Sequence, residues 1–262
     1  MNQKNAIVTG AYGAIGQAIA GGIAAKGFSV TLAGRDRASL EKTQNLLRKK
    51  SSNPGIFFEV VDLSSRQEIS DFSKRWGKPL SLLVNNAATA PRQRTESAEG
   101  IEMQWAVNVL GYVRMINCFE PFLEDNSGAR IVNVASYWAG GLDMRDPEFK
   151  ARRYDNDVAY RQAKQANRML SAAFAGRLQA RGITVNACHP GDVNSKLSNS
   201  FGFGGSETPD QGAATPLYLA LSEEVKGITG KYFEHLRQER CRFSQDPQAV
   251  EALYQLCNAY GL

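Results

Sequence analysis

TGAYGAIG, residues 9–16, decides how the rest of the chain is read. It follows the apolar run Asn5-Ala-Ile-Val-Thr9 and leads into a helical pattern from about Ile15 to Lys26. Gly10, Gly13 and Gly16 allow a tight turn and let a ligand come close to the backbone. The first amides of a helix have no partners within it, and the helix dipole adds positive potential there. A glycine-rich turn placed directly between a first strand and a first helix therefore suits a pyrophosphate. A plain tight turn is the alternative, because Gly21-Gly22 shows that this region tolerates glycine generally.

The alternation continues outward. Ser29–Ala33, Ile56–Val61, Leu80–Val84, Arg130–Val134 and Ile183–Ala187 read as buried strands, and Lys231–Phe233 as a short last one. Helical patterns lie between them at 38–50, 65–76, 97–124 and 157–181. Asp246 as N-cap and Pro247 at the first helical position open a closing helix over 249–260. Continuous apolar strands alternating with helices predict an α/β fold: a single-domain, Rossmann-type, doubly wound parallel sheet of about seven strands with helices on both faces. With no internal repeat and no linker, residues 1–262 read as one domain. NSKLSNSFGFGGSETP, 194–209, is the long loop, expected to act as a lid over a substrate, with a plain surface loop as the alternative.

Composition bounds the function. The chain is 43% hydrophobic and 22% charged, with net charge +5. Its Lys and Arg are scattered, and the clusters Arg48–Lys50 and Arg237–Arg242 lack the interleaved aromatics of a single-strand-binding surface, so no nucleic-acid partner is expected. Four cysteines without a C-x-x-C and only two histidines predict a reduced, cytoplasmic protein with no metal site. No run approaches 18 apolar residues, so no membrane span is expected, and the early first strand leaves no room for a leader.

The second strand ends Leu32-Ala-Gly-Arg-Asp-Arg37. A carboxylate there would take the ribose hydroxyls of NAD, and a cation would meet the extra phosphate of NADP. Gly34 leaves space, while Arg35 and Arg37 offer charge and bidentate geometry, so NADP(H) is favoured over NAD(H). Asp36 is read as the cap of the second helix. Further on, Tyr160 and Lys164 stand four apart in AYRQAK, on one face of a helix. A cation there would favour the phenolate and bring tyrosine nearer to acid/base work at neutral pH. Alone, such a pair more often marks a helix surface.

In sequence the chain resembles the short-chain dehydrogenase/reductase family along nearly its whole length. The resemblance rests on Thr9, Gly10 and Gly16 of the turn, with Ala14 where a glycine usually stands and Gly13 one position earlier. It rests also on Asp62 after the third strand, Asn85-Asn86-Ala87-Ala88, Asn108, Ser136 and the Tyr160/Lys164 pair. Pro190-Gly191 follows the sixth strand, and Ser195 stands where a threonine usually holds the nicotinamide amide. The long Ser136-to-Tyr160 segment, with His189-Pro-Gly191 and Lys164-Gln-Ala-Asn167, is similar to the branch that includes retinol dehydrogenases and related carbonyl reductases.

The resemblance implies hydride transfer between a nicotinamide and a carbonyl or alcohol. Tyr160 would be the general acid, and Ser136 would hold the substrate oxygen. Lys164 would lower the tyrosine pKa and bind the nicotinamide ribose, and Asn108 would support a water relay to Lys164. It implies cofactor contacts from Thr9, Gly10, Tyr12, Gly13, Ala14, Ile15 and Gly16 in the turn, from Arg35 and Arg37, and from Asp62, Leu63, Asn86 and Ala87. Tyr160, Lys164, Pro190, Gly191, Val193 and Ser195 would complete that set. Asp62 could equally cap the helix near Ser65.

Tyr137, Trp138, Tyr154, Phe201 and Phe203 are candidates for an apolar pocket taking a medium-sized aldehyde or ketone, with Trp105 assigned to the core. Family members commonly pair through their two long helices, which allows a homo-oligomer here, while the long Ser136-to-Tyr160 segment could obstruct that pairing. Two other readings are a nucleotide sensor without turnover, against which the intact Ser136, Tyr160 and Lys164 argue, and a sugar-nucleotide epimerase or dehydratase, for which the chain ends too soon.

Overall fold

The protein is described here by a computed structural model covering residues 3–126 and 128–261. Strands β1 (Asn5–Thr9), β2 (Ser29–Gly34), β3 (Ile56–Val60), β4 (Leu82–Asn85), β5 (Arg130–Val134), β6 (Thr184–Cys188), β7 (Tyr232–Glu234) and β8 (Arg237–Glu239) form one sheet. Its order is β3-β2-β1-β4-β5-β6-β7-β8, parallel throughout except for the antiparallel β7–β8 pair. The helices are α1 (Ala14–Ala25), α2 (Arg37–Ser51), α3 (Arg66–Trp76), α4 (Gly111–Phe119), α5 (Asn156–Leu178), α6 (Lys196–Ser200), α7 (Pro209–Leu221) and α8 (Pro247–Asn258).

Every residue of β1, β2, β4 and β6 is buried, as a sheet covered on both faces requires. Alternate side chains feed two cores. Ile7 and Leu83 join α3, α4, α5 and α8 on one face, while Ala6, Val8 and Leu82 join α1, α2 and α7 on the other. The chain order reverses between β1 and β4, and a crevice opens beyond the carboxyl ends of those two strands.

Most boundaries fall within two residues of the sequence reading. Asp36 does cap α2, accepting from the Ser39 amide at 2.6 Å. Asp246 caps α8 through the Gln248 and Ala249 amides. Two expectations are corrected. The sheet has eight strands where about seven were expected, and the eighth, β8, falls within the Arg237–Arg242 cluster. All three β8 residues are exposed, so no apolar signal marks them, and the preceding turn uses His235 and Leu236 at positive φ instead of the usual glycine. The helical pattern at 97–124 begins only near Met103. The Glu102 carboxylate accepts from the Gln104 and Trp105 amides and so starts the helix there. A π-helical stretch, Trp105–Leu110, then leads into α4, and Trp105 is in the core as expected.

Candidate active site

Two openings meet at the crevice. The longer groove, about 1380 Å³, runs past Gly10, Tyr12, Gly13, Ala14, Ile15, Gly16, Arg35, Asp62, Leu63, Asn86 and Ala87. The shorter pocket, about 500 Å³, is walled by Ser136, Trp138, Tyr160, His189, Pro190, Gly191, Val193, Phe201 and Phe203. Ile15, Ser195 and Leu197 line both, so the two are continuous.

The turn from β1 to α1 is built for close approach. Gly10 has φ +62°, and a Cβ on it would lie 2.8 Å from the Ala87 Cα. A Cβ on Gly16 would lie 2.3 Å from the Gly10 carbonyl oxygen and 2.6 Å from the Asn86 Nδ2. The N-cap of α1 is Gly13, with no side chain bonded to the first amides of the helix. Those amides, facing a groove that also takes in Arg35, Asp62 and Asn86, fit the pyrophosphate of a nicotinamide dinucleotide. Arg35 lies on the groove where the adenosine ribose would be. Arg37 is outside the lining and packs over Phe58 at 5.5 Å. Its position at the start of α2 turns it toward β3.

Thr9 is not a contact residue. It is fully buried, and its hydroxyl accepts the Asn86 and Ala87 amides at 2.9 and 3.1 Å, tying β1 to the end of β4. Asp62 lines the groove and accepts from Ser64. The cap of α3 is Ser65.

In the wall of the shorter pocket Ser136 and Tyr160 lie side by side, close enough for the serine hydroxyl to lower the phenol's pKa. Ser136 follows β5, Tyr160 is in the second turn of α5, and Asp155 fixes the start of that helix by accepting from Asp157 and Val158. Lys164, one turn on and 1% exposed, donates to the Val134 carbonyl at 2.8 Å. Its Nζ sits 5.5 Å from the Tyr160 ring centre and 5.4 Å from that of Tyr112.

Burial dominates the titration of this pair. It pushes Tyr160 up, against the opposing pull of the Ser136 bond. It brings Lys164 down to about 7. Burial costs the phenolate more than the serine hydroxyl returns.

Asn108 lies in the π-helical stretch and is fully buried. Its carboxamide accepts from the Thr89 amide at 2.8 Å and donates to the Thr89 carbonyl at 2.9 Å, with Gln104 beside it. These bonds tie Asn108 to Thr89, which lines the groove.

In the shorter pocket Trp138 meets Phe201 and Phe203 at 6.2 and 5.4 Å between ring centres, and Phe201 meets Tyr160 at 5.0 Å. Tyr154 is elsewhere: its hydroxyl donates to the Pro91 carbonyl and accepts from Gln104, and its ring packs on Phe149. Tyr137 is outside the lining, bonded to Asp192 at 3.2 Å and set edge-on to His189 at 4.5 Å. Tyr137 and Trp138 share a turn after β5, and it is Trp138 that lines the pocket.

The 194–209 segment contributes α6, capped reciprocally by Ser195 and Ser198, and this short helix forms the wall between the two openings. Sequence reasoning missed Asp192, Leu197 and Ser198, whose types carry no signal. It also missed Tyr112, whose hydroxyl lies at the Ala87 and Val134 carbonyls, 3.1 and 3.3 Å away.

Residues 4–202 match the family model for short chain dehydrogenases. The chain is 33% identical over 256 residues to retinol dehydrogenase 13 of Mus musculus, covering 90% of this chain and 77% of that protein. It is 35% identical over 266 residues to a probable oxidoreductase of Streptomyces antibioticus, covering 94% and 89%. Among solved structures, an uncharacterized protein from Mycobacterium paratuberculosis superposes with a TM-score of 0.83 at 25% identity, over 98% and 93% of the two chains. The Pseudomonas aeruginosa RhlG/NADP active-site complex gives 0.70 at 26% identity, over 88% and 93%. The fold and site define a nicotinamide-dependent oxidoreductase. The chain belongs to the short-chain dehydrogenase/reductase family. No helix among the described residues is long and apolar enough to cross a membrane.

Proposed function

We propose that this protein reduces a medium-sized, mostly apolar aldehyde or ketone with NADPH, or runs the reverse oxidation. The observation that carries the reading is the Ser136–Tyr160 hydroxyl pair in the wall of an aromatic pocket that is continuous with a glycine-lined groove. Bound NADPH would supply the hydride to the carbonyl carbon. Negative charge then grows on the carbonyl oxygen. Tyr160, kept protonated by burial, gives that oxygen its proton. Ser136 donates a hydrogen bond to the same oxygen, a preorganised donor of the oxyanion-hole kind. Lys164 stabilises the phenolate left behind. Trp138, Phe201, Phe203 and Leu197 exclude water and favour an apolar substrate body.

NADP(H) is preferred over NAD(H) in this reading because Arg35 faces the groove while the Asp36 carboxylate is occupied as a helix cap. The four unpaired cysteines, three of them buried, support a reducing compartment such as the cytoplasm.

The test is NADPH oxidation with a panel of aliphatic, aromatic and retinoid aldehydes and ketones, run beside Tyr160→Phe. The wild type should turn over at least one of them. The variant should lose about 100-fold or more of kcat, the usual worth of a general acid, while cofactor affinity holds. Equal turnover in both would remove Tyr160 from the chemistry.

A further inference from the structure

Helix α5 carries a third cation on the face of Tyr160 and Lys164. Arg168 is four residues beyond Lys164, one further turn along. It is 8% exposed, and one guanidinium nitrogen donates to the Ser136 carbonyl at 2.5 Å. Lys164 donates to Val134 in the same segment. Two cations about 6 Å apart on the helix thus grip two carbonyls about 6.6 Å apart on an extended chain. The Ser136 residue is held at both ends: its hydroxyl oxygen by the Trp138 amide and its carbonyl by Arg168.

Arg168 is itself fixed from the far side. Its guanidinium lies 3.4 Å from the centre of the Tyr232 ring and donates to the Tyr232 hydroxyl at 2.5 Å. That hydroxyl donates in turn to Glu234 at 2.5 Å, and the Glu234 carboxylate is 3.6 Å from the guanidinium. Phe243 closes the stack at 5.6 Å. Tyr232, Glu234 and Phe243 all lie beyond residue 202, where the family match ends. One nitrogen of the planar guanidinium meets the carbonyl, the hydroxyl and the carboxylate while its flat face stacks on the ring, a stacking geometry that an ammonium lacks.

We infer that Arg168 is a positioning residue: braced by Tyr232 and Glu234 of β7, it fixes the backbone of Ser136 and so aims the serine hydroxyl at the substrate oxygen. The inference rests on the proposed reductase chemistry, yet one of its tests does not need turnover. The Trp138 amide donates to the Ser136 Oγ at 3.2 Å and so reports the placement of that oxygen.

The experiment uses Arg168→Met and Arg168→Lys in the full chain. Arg168→Met should lower kcat about tenfold while KM for NADPH stays within about twofold, and Arg168→Lys should recover only part of the loss. In a Ser136→Ala background, Arg168→Met should cost less than about twofold, because the group it aims is gone. Amide exchange at Trp138, followed by NMR, should quicken about tenfold in Arg168→Met while the amides of α5 hold.

An equal kcat loss in both backgrounds, or an unchanged Trp138 amide, overturns the inference. If the wild type turns over no carbonyl, the reductase reading fails, and the Trp138 amide alone decides whether Arg168 positions Ser136.

Discussion

Replacing Lys164 with methionine should flatten the alkaline side of the protein's stability profile. Methionine keeps most of the volume and removes the charge. In the folded protein burial brings the lysine to about 7, against an ordinary value of 10.5. Between those two values the unfolded chain holds a proton that the folded chain lacks, so stability rises with pH across that window. Each pH unit within it is worth up to about 1.4 kcal/mol. From pH 7 to pH 9 the gain from this one group is about 2 kcal/mol, because the folded lysine is half protonated at the lower end.

For a chain of this size that gain corresponds to about 4–8 °C in Tm. The assay is urea or thermal unfolding at intervals from pH 6 to pH 9.5, without added dinucleotide. The quantity to follow is wild type minus Lys164→Met: Tyr112 and Cys188, both pushed up by burial, lower stability only as their unfolded forms ionise, and Cys188 alone of the two is also drawn down by the Lys164 charge that the variant lacks. The difference should rise from pH 7 to pH 9 and be level, at its lowest, below pH 6. Parallel profiles would show that Lys164 is fully charged in the folded protein and would refute the burial argument.

Gly16→Ala should lower NADPH affinity about tenfold or more in a fluorescence titration, because its Cβ would meet the Gly10 carbonyl oxygen at 2.3 Å and force the turn open. Arg35→Ala should cut the NADPH-to-NADH affinity ratio by about 10–100-fold, the worth of a lost charge-assisted contact, and an unchanged ratio would take Arg35 out of the site. Asp246→Ala should cost about 1 kcal/mol, or about 2–4 °C of Tm, by freeing the Gln248 and Ala249 amides, with kcat unchanged.

Strand and helix type were legible from the chain because each is a local pattern. Asn5–Thr9 is apolar throughout since both its faces are covered, and Asp246-Pro247 announces a helix by its own chemistry. Gly10 and Gly16 were legible for the same reason: backbone that must turn sharply or be approached closely excludes a side chain, whatever surrounds it. The spacing of Tyr160 and Lys164 placed them on one helix face, and the match of Ser136 with the family pattern supplied their partner.

Tertiary structure alone decided what each side chain touches. Thr9 matched the pattern but is buried as a brace, and Asn108 spends its carboxamide on Thr89. Tyr154 has the composition of a pocket residue and the location of a loop anchor. Arg168 stood in plain view one turn past Lys164, yet its partners Ser136 and Tyr232 are 32 and 64 residues away. The direction of the Tyr160 and Lys164 titrations was likewise set by burial, a property of the assembled sheet and helices. Local sequence fixes which backbone conformations are allowed. The contacts that give a buried group its charge and aim arise only when distant segments pack together.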